Sequence, residues 1–352
     1  MTRSNTGLST RLLQAWQHRG LVAWTLWPLS RVLGALVLLR RIAYRRGWLA
    51  SHRVPAVVIV VGNVVAGGAG KTPTVLALVQ WMRQRGLAVG VVSRGHGRQT
   101  DDCREVTASS EAHEVGDEPL LIQRRSGAPV FVARQRAQAA QALLQRHPST
   151  QVIVCDDGLQ HLALQRDIEL CVFDDRGIGN GFLQPAGPLR EPWPRPVDLV
   201  LHTGEHPAFA GYRAHRQLAS VAYNGHGLSC AVDSLRQRNW HAMAGIAHPE
   251  RFFSMLQNLG LRVQQTTALP DHHDFRDGAP PSPPGLDLIC TEKDAYKLWA
   301  IQPDAWALAL QFEPEPAFWN DLQQRLDAAL SSKPSLRTTS ERTPSPHGQQ
   351  TS

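Results

Sequence analysis

Residues 1–53 contain no aspartate or glutamate, yet they carry nine arginines. That absence locates the charge. The formal net charge is +7, but beyond residue 53 there are 28 basic residues against 30 acidic ones, so the body is near neutral. A nucleic-acid enzyme carries its basic surface around its active site, and no nucleic-acid partner is expected here. An arginine-rich end set among apolar residues points instead to anionic lipid. Cysteine is scarce and unpatterned: Cys103, Cys155, Cys171, Cys230 and Cys290 include no C-x-x-C. This argues against a disulfide framework and a zinc site, and for a reducing compartment. A clean membrane span is also missing. The apolar run at 21–39, LVAWTLWPLSRVLGALVLL, has about the 20 residues a span needs, but Pro28, Ser30 and Arg31 interrupt it. A central arginine costs about 2.5–3.5 kcal/mol on insertion scales. Trp16, Trp24, Trp27, Tyr44 and Trp48 favour the headgroup level, so a helix lying in the interface fits better than a span. No small-residue cleavage site follows, which argues against a signal peptide.

The 352 residues, 42% hydrophobic, suffice for one large or two modest domains. Continuous apolar runs at 56–62, 88–95, 129–133, 151–157 and 168–175 alternate with helical patterns. This order predicts parallel strands joined by crossover helices and covered on both faces. A second set of runs follows at 197–204, 239–260, 287–295 and 305–314, and a last helix is expected over 316–330. The expected fold is therefore α/β and P-loop NTPase-like: a mostly parallel sheet flanked by helices, a smaller second α/β lobe and an N-terminal membrane-associated helix. The expected divisions are a basic, apolar segment (1–53), a nucleotide-binding core (54–225), a lobe completing the active site (226–330) and a polar, Ser/Thr/Pro-rich disordered tail (331–352).

The core opens on VGNVVAGGAGKTP (61–73), directly after the first apolar run. In a P-loop, backbone N–H groups turned inward by glycines hold phosphate oxygens at a helix N-terminus. Gly67, Gly68, Ala69 and Gly70 would form the cradle, Lys71 would reach the β/γ-phosphates, and the Thr72 hydroxyl would hold Mg²⁺. Val65 stands where the strict pattern has its first glycine, a position where extended backbone suffices. Pro73 suits a first helical turn. Asp156 and Asp157 end another apolar strand, where a carboxylate would reach Mg²⁺ or its waters. A P-loop alone leaves a kinase, a GTPase and a partitioning-type ATPase open. The guanine-reading Asn-Lys-x-Asp has no match at TEKD (291–294), and Ala66 stands where a partitioning ATPase carries lysine.

The strings GNVVAGGAGKTP, SRGHGR (93–98), VGDEP (115–119), DDGLQH (156–161), GNGFLQPAGPLRE (179–191), PDHHDF (270–275) and TEKDA (291–295) occur in this order. In this the chain resembles the tetraacyldisaccharide 4'-kinase (lipid A 4'-kinase) family over residues 20 to 330. It departs at Leu159, where an aromatic is common, and at His96, where tyrosine is common. The resemblance implies that ATP, with Mg²⁺, phosphorylates the 4'-hydroxyl of a tetraacyldisaccharide 1-phosphate to give lipid IV-A. It also implies a place on the cytoplasmic face of the bacterial inner membrane, reached through the N-terminal helix, and no obligate protein partner.

For the hydroxyl proton the resemblance implies an aspartate–histidine pair, Asp117 and His272, with His272 preferred to His273 because it follows Asp271. It also implies substrate-side roles for Arg190 and Glu191. Arg94, after a strand, is a candidate for phosphate or substrate, and His161, four residues after Asp157, could orient the acidic pair. Read as residues alone, Asp117 is also a plausible helix cap. Two other readings stay open at this point: a soluble P-loop small-molecule kinase or ATPase, and a nucleotide-switched membrane adaptor.

Overall fold

The structure, a computed structural model, describes residues 16–271, 273–275 and 278–333. His272 and residues 334–352 of the expected tail lie outside that set. Strand β1 (Val57–Gly62) follows helix α1 (Leu21–Arg45) and is buried at every position. That is how a strand covered by helices on both faces reads in sequence. The chain then alternates through α2 (Lys71–Gln84), β2 (Val89–Ser93), β3 (Arg104–Val106), α3 (Ala112–Val115), α4 (Asp117–Ser126), β4 (Val130–Val132), α5 (Arg136–Arg146) and β5 (Val152–Asp156). Strands β6 (Ile168–Phe173) and β7 (Leu199–His202) come next. Their spatial order is β3-β4-β2-β5-β1-β6-β7, parallel throughout except for edge strand β3.

The thirteen-residue strand β8 (Tyr212–Asn224) joins this sheet to a second set. At Tyr212 and Arg213 it runs parallel to β7, and from Ala214 onward it pairs antiparallel with β13 (Trp306–Pro314). Beyond β8 come β9 (Ser229–Ala231), α6 (Val232–Leu235), β10 (Asn239–Ala244), α7 (Pro249–Asn258), β11 (Arg262–Ala268), β12 (Asp287–Thr291) and α8 (Glu292–Leu298). Strands β13, β12, β10 and β11 continue the sheet in that order, in parallel, so one sheet runs through both halves. Sequence patterning does not show β8 or β11. In β11, an edge strand, exposed and half-buried residues alternate, without the apolar run that marks a covered strand.

The last helix, α9 (Pro316–Ser331), returns to the first half. Phe318, Leu322 and Leu326 are fully buried there, in the cluster that contains Val57, Ile59 and Val61 of β1. Just beyond it, Lys333 is buried and donates to Asp167 Oδ2 at 2.7 Å.

Helix α1 is unlike the others. It carries Pro28, buries only Ala23 and Ser30, and exposes Leu21, Val22, Trp24, Leu29, Val32 and Leu36. By length and composition it could cross a membrane. Its buried side rests on the 179–191 segment. Ser30 Oγ donates to Leu183 O at 2.7 Å and accepts from Ala186 N at 3.1 Å, and Trp24 meets Phe182 edge-on at 5.2 Å.

If α9 is integral to the first core, Phe318→Ala should cost about 3–5 kcal/mol, the usual loss for a buried phenylalanine. Urea unfolding reads this directly. A loss below about 1 kcal/mol would contradict the placement.

Candidate active site

The phosphate loop begins where β1 ends. Asn63, fully buried, donates from Nδ2 to Val65 O at 2.6 Å and to Gly67 O at 3.2 Å, curling the chain over its own side chain. Val65 forms a β-bridge with Leu189 and buries its side chain, so the extended backbone leaves no need for glycine there. Gly67 (φ 96°) and Gly70 (φ 87°) take left-handed conformations. At Gly70 a Cβ would also stand 2.2 Å from an Arg216 guanidinium nitrogen. Only glycine fits there.

The outer side of the loop is held by cations and a hydroxyl. Arg176 donates to Ala66 O at 3.3 Å and Gly68 O at 2.9 Å, while its Nε is 3.0 Å from both Asp174 carboxylate oxygens. Thr203 Oγ1 donates to Ala69 O at 2.9 Å, and Arg216 reaches the same carbonyl at 3.4 Å. The planar trans peptide points its N–H opposite its C=O. With those carbonyls turned outward, the N–H groups of Gly67, Ala69 and Gly70 face the other way. That is the arrangement an anion needs, at the start of α2.

Lys71, the first residue of α2, lies 3.4 Å from Asn63 Oδ1 and 3.7 Å from Asp157 Oδ1. Asp157 follows β5 in a left-handed conformation (φ 46°) and receives two hydrogen bonds from Arg190, both 3.1 Å. Burial alone would raise its pKa, but Lys71 and Arg190 overcome that and hold the carboxyl below its usual range. Its neighbour Asp156 is 1% exposed. Oδ2 accepts from Ser93 Oγ at 3.1 Å, and Oδ1 has no partner among the described residues. Burial first, then the charges of Glu118 and Asp157, push Asp156 up to about 7. A buried, half-satisfied carboxyl in this state favours an added cation.

Behind the pair, the buried Arg136 donates to Asp157 O at 2.9 Å and contacts His161 Nε2. Burial, with the charges of Arg136, Arg40 and Arg94, lowers His161 to about 3. Glu191 is 2% exposed and accepts from Gln160 at 2.8 Å. The structure thus brings Lys71, Asp157, Arg190, Glu191 and His161 together around the loop that carries Thr72. Arg94 is solvent-exposed, near enough for its charge to reach His161. Asp117 opens α4 and accepts from Lys297 Nζ at 2.9 Å. His272 lies outside the described residues; beside it, the His273 ring meets Phe275 edge-on at 4.7 Å. Asn63, Gln160, Arg136, Arg176, Thr203, Arg216 and Lys297 were not singled out in the sequence. Asn63 and Gln160 lie inside the recurring strings, whereas Arg216 lies in a polar strand that carries no motif.

A cavity of about 1530 Å³ opens from Gly68–Thr72, reaches Gln80 and Trp81 of α2, and on its far side meets Ile246, His248, Arg251 and Thr291. Residues following strands of both halves therefore line one space, where ligands gather in open α/β sheets.

A phosphate cradle at a helix start, backed by the buried Asp156 and half-buried Asp157 where the neighbouring parallel strand ends, defines a P-loop nucleotide-binding protein. The family model described as tetraacyldisaccharide-1-P 4'-kinase (LpxK) matches residues 22–327. Proteins named tetraacyldisaccharide 4'-kinase from Acidovorax sp. (strain JS42) and Polaromonas naphthalenivorans are 57% and 56% identical to the chain. Each alignment covers 92% of this chain, with 96% and 97% of those proteins respectively. A crystal structure of LpxK from Aquifex aeolicus, in complex with ATP, is similar with a TM-score of 0.77 at 27% identity. It covers 88% of this chain and 100% of its own. The chain belongs to the tetraacyldisaccharide-1-P 4'-kinase family.

The lowered His161 makes a pH prediction. From pH 6.5 down to about 3 the unfolded chain takes a proton on this ring that the folded chain refuses. Stability is therefore complete above 6.5 and is lost as pH falls through that window. In His161→Gln that loss disappears, so wild-type stability should fall more steeply than the variant's between pH 7 and 4. Parallel curves would contradict the half-buried neutral ring.

Proposed function

We infer that this chain transfers the γ-phosphoryl group of ATP to the 4'-hydroxyl of a tetraacyldisaccharide 1-phosphate, the lipid IV-A-forming step of lipid A biosynthesis. The observation that carries the reading is Lys71 and Asp157 meeting at the mouth of the phosphate loop, in a chain of this family. ATP takes the cradle of Gly67, Gly68, Ala69 and Gly70, with Lys71 against its terminal phosphates. Mg²⁺ fits the donors present: a P-loop threonine, Thr72, and the Asp156–Asp157 pair, whose Oδ1 on Asp156 lacks a partner among the described residues. Mg²⁺ is commonly held by one or two carboxylates plus phosphates, and bound there it would neutralise charge on the transferring group.

Asp117, with His272, takes the proton of the attacking hydroxyl. The Lys297 ammonium donates to Asp117 Oδ2 at 2.9 Å and fixes the direction of that carboxyl. Arg190, Glu191, His161 and Arg94 form the substrate side, where cations meet the lipid's own phosphate. Residues of the nucleotide-binding core (54–225) and of the second lobe (226–330) line the same cavity. The exposed apolar side of α1 and the arginines around it seat the enzyme on the cytoplasmic face of the inner membrane.

The test follows labelled γ-phosphate into detergent-dispersed disaccharide 1-phosphate. Lys71→Ala should abolish transfer, and Asp117→Asn should lower kcat by about 10²–10⁴-fold with melting temperature held. ATP hydrolysis without labelled lipid would leave a small-molecule kinase or ATPase. Nucleotide binding with no turnover would leave a switched adaptor.

A further inference from the structure

We propose that Arg41 is a positioning residue: it couples the N-terminal helix to the phosphate loop through Glu191, Gln160 and Asn63, and so sets the alignment of Lys71. The inference rests on the kinase reading above and extends it to a residue on α1, outside the phosphate cradle.

Helix α1 and the residues before it are fastened to one segment at three levels. Trp16 Nε1 donates to Pro185 O at 2.9 Å, Ser30 bridges Leu183 and Ala186, and Arg41 pairs with Glu191 Oε2. That segment is strapped in turn to the rising limb of the phosphate loop. Ala66 N donates to Pro188 O at 2.8 Å, Arg190 N donates to Val64 O at 2.7 Å, and Val65 bridges Leu189. The side chains make a second, parallel line. Gln160 donates from one amide nitrogen to Glu191 Oε1 at 2.8 Å and to Asn63 O at 3.1 Å, and Asn63 Oδ1 faces Lys71 Nζ at 3.4 Å.

Glu191 is the weak point of this line. At 2% exposure its carboxylate must stay paired. Without Arg41 the next cation is Arg195, whose Nε is 3.9 Å from Oε2. The carboxylate then turns toward Arg195 and away from Gln160, which frees Asn63 to shift beneath Lys71. A displacement of about 1 Å in a phosphoryl-transfer site costs on the order of 100-fold in rate. The geometry also gives the exposed helix a purpose beyond anchorage, since whatever holds α1 holds the loop as well.

The experiment uses the full chain, MgATP and the disaccharide 1-phosphate in detergent micelles. Arg41→Ala should lower kcat by about 10- to 100-fold while KM for ATP and for lipid stay within about twofold. Arg41→Lys should recover part of the rate, and partition onto anionic vesicles should not change. The unpaired Glu191 carboxylate lowers the melting temperature of Arg41→Ala, but kcat per folded molecule stays reduced below its unfolding range. In a cycle with Glu191→Gln, the double variant should be no slower than the slower single variant. Wild-type kcat in Arg41→Ala, independent losses in the double variant, or a change confined to lipid KM and vesicle partition would each overturn the coupling. A merely structural role would appear as a lower melting temperature with normal kcat in the folded fraction. Absence of transfer in the wild type would remove the kinase reading itself, which separates the two failures.

Discussion

Asp157 sits in a left-handed turn between two cations, Lys71 and Arg190, and much of the site is arranged to keep it there. The turn places a carboxylate over the phosphate loop immediately after a fully buried strand. Lys71 arrives from the first turn of α2, and Arg190 from the segment on which α1 rests. The ion pairs are only partly buried, so each is modest as a source of stability. Their value lies in geometry: three chain segments far apart in sequence share one point. When a nucleotide's phosphates enter, Lys71 has somewhere to go, and Asp157 and its buried neighbour Asp156 gain reason to hold a cation.

A second constraint is the lipid. An acylated, anionic substrate presents apolar chains beside phosphate, and the body of this chain is near neutral. The chain answers by keeping the basic excess at one end and exposing apolar residues along a single helix. The same helix touches the body chiefly through small or polar groups, such as Ser30, so little of its apolar surface is spent on the fold. Arg190 and Glu191 stand at the end of the segment beneath it. The exposed helix and the phosphate cradle are thus a few residues apart in space.

Legibility in the sequence followed burial and contiguity. Strands β1 and β5 were plain because both faces are covered and every residue is apolar or small until the carboxylates appear. The joining strand β8 was not, because Arg213, His215, Arg216 and Gln217 break its apolar pattern while its pairing partners lie in both halves. Its Arg216 therefore escaped notice, although it braces the phosphate loop. The loop itself was readable because its atoms come from one contiguous string. Thr203 and Arg176 reach the loop from other elements, and no spacing in sequence announces them. The roles proposed for Asp117 and His272 rest on family resemblance; composition alone leaves one a helix cap and the other a loop residue.

The claim at the centre of this account is regiochemical: the enzyme adds a phosphate monoester to a lipid that already carries one. ³¹P NMR of the lipid product, formed from MgATP and the disaccharide 1-phosphate, tests it directly. Two monoester resonances in equal amounts, with ADP as co-product, are the predicted result. A diphosphate signal at the 1-position, or inorganic phosphate with unchanged lipid, would contradict it.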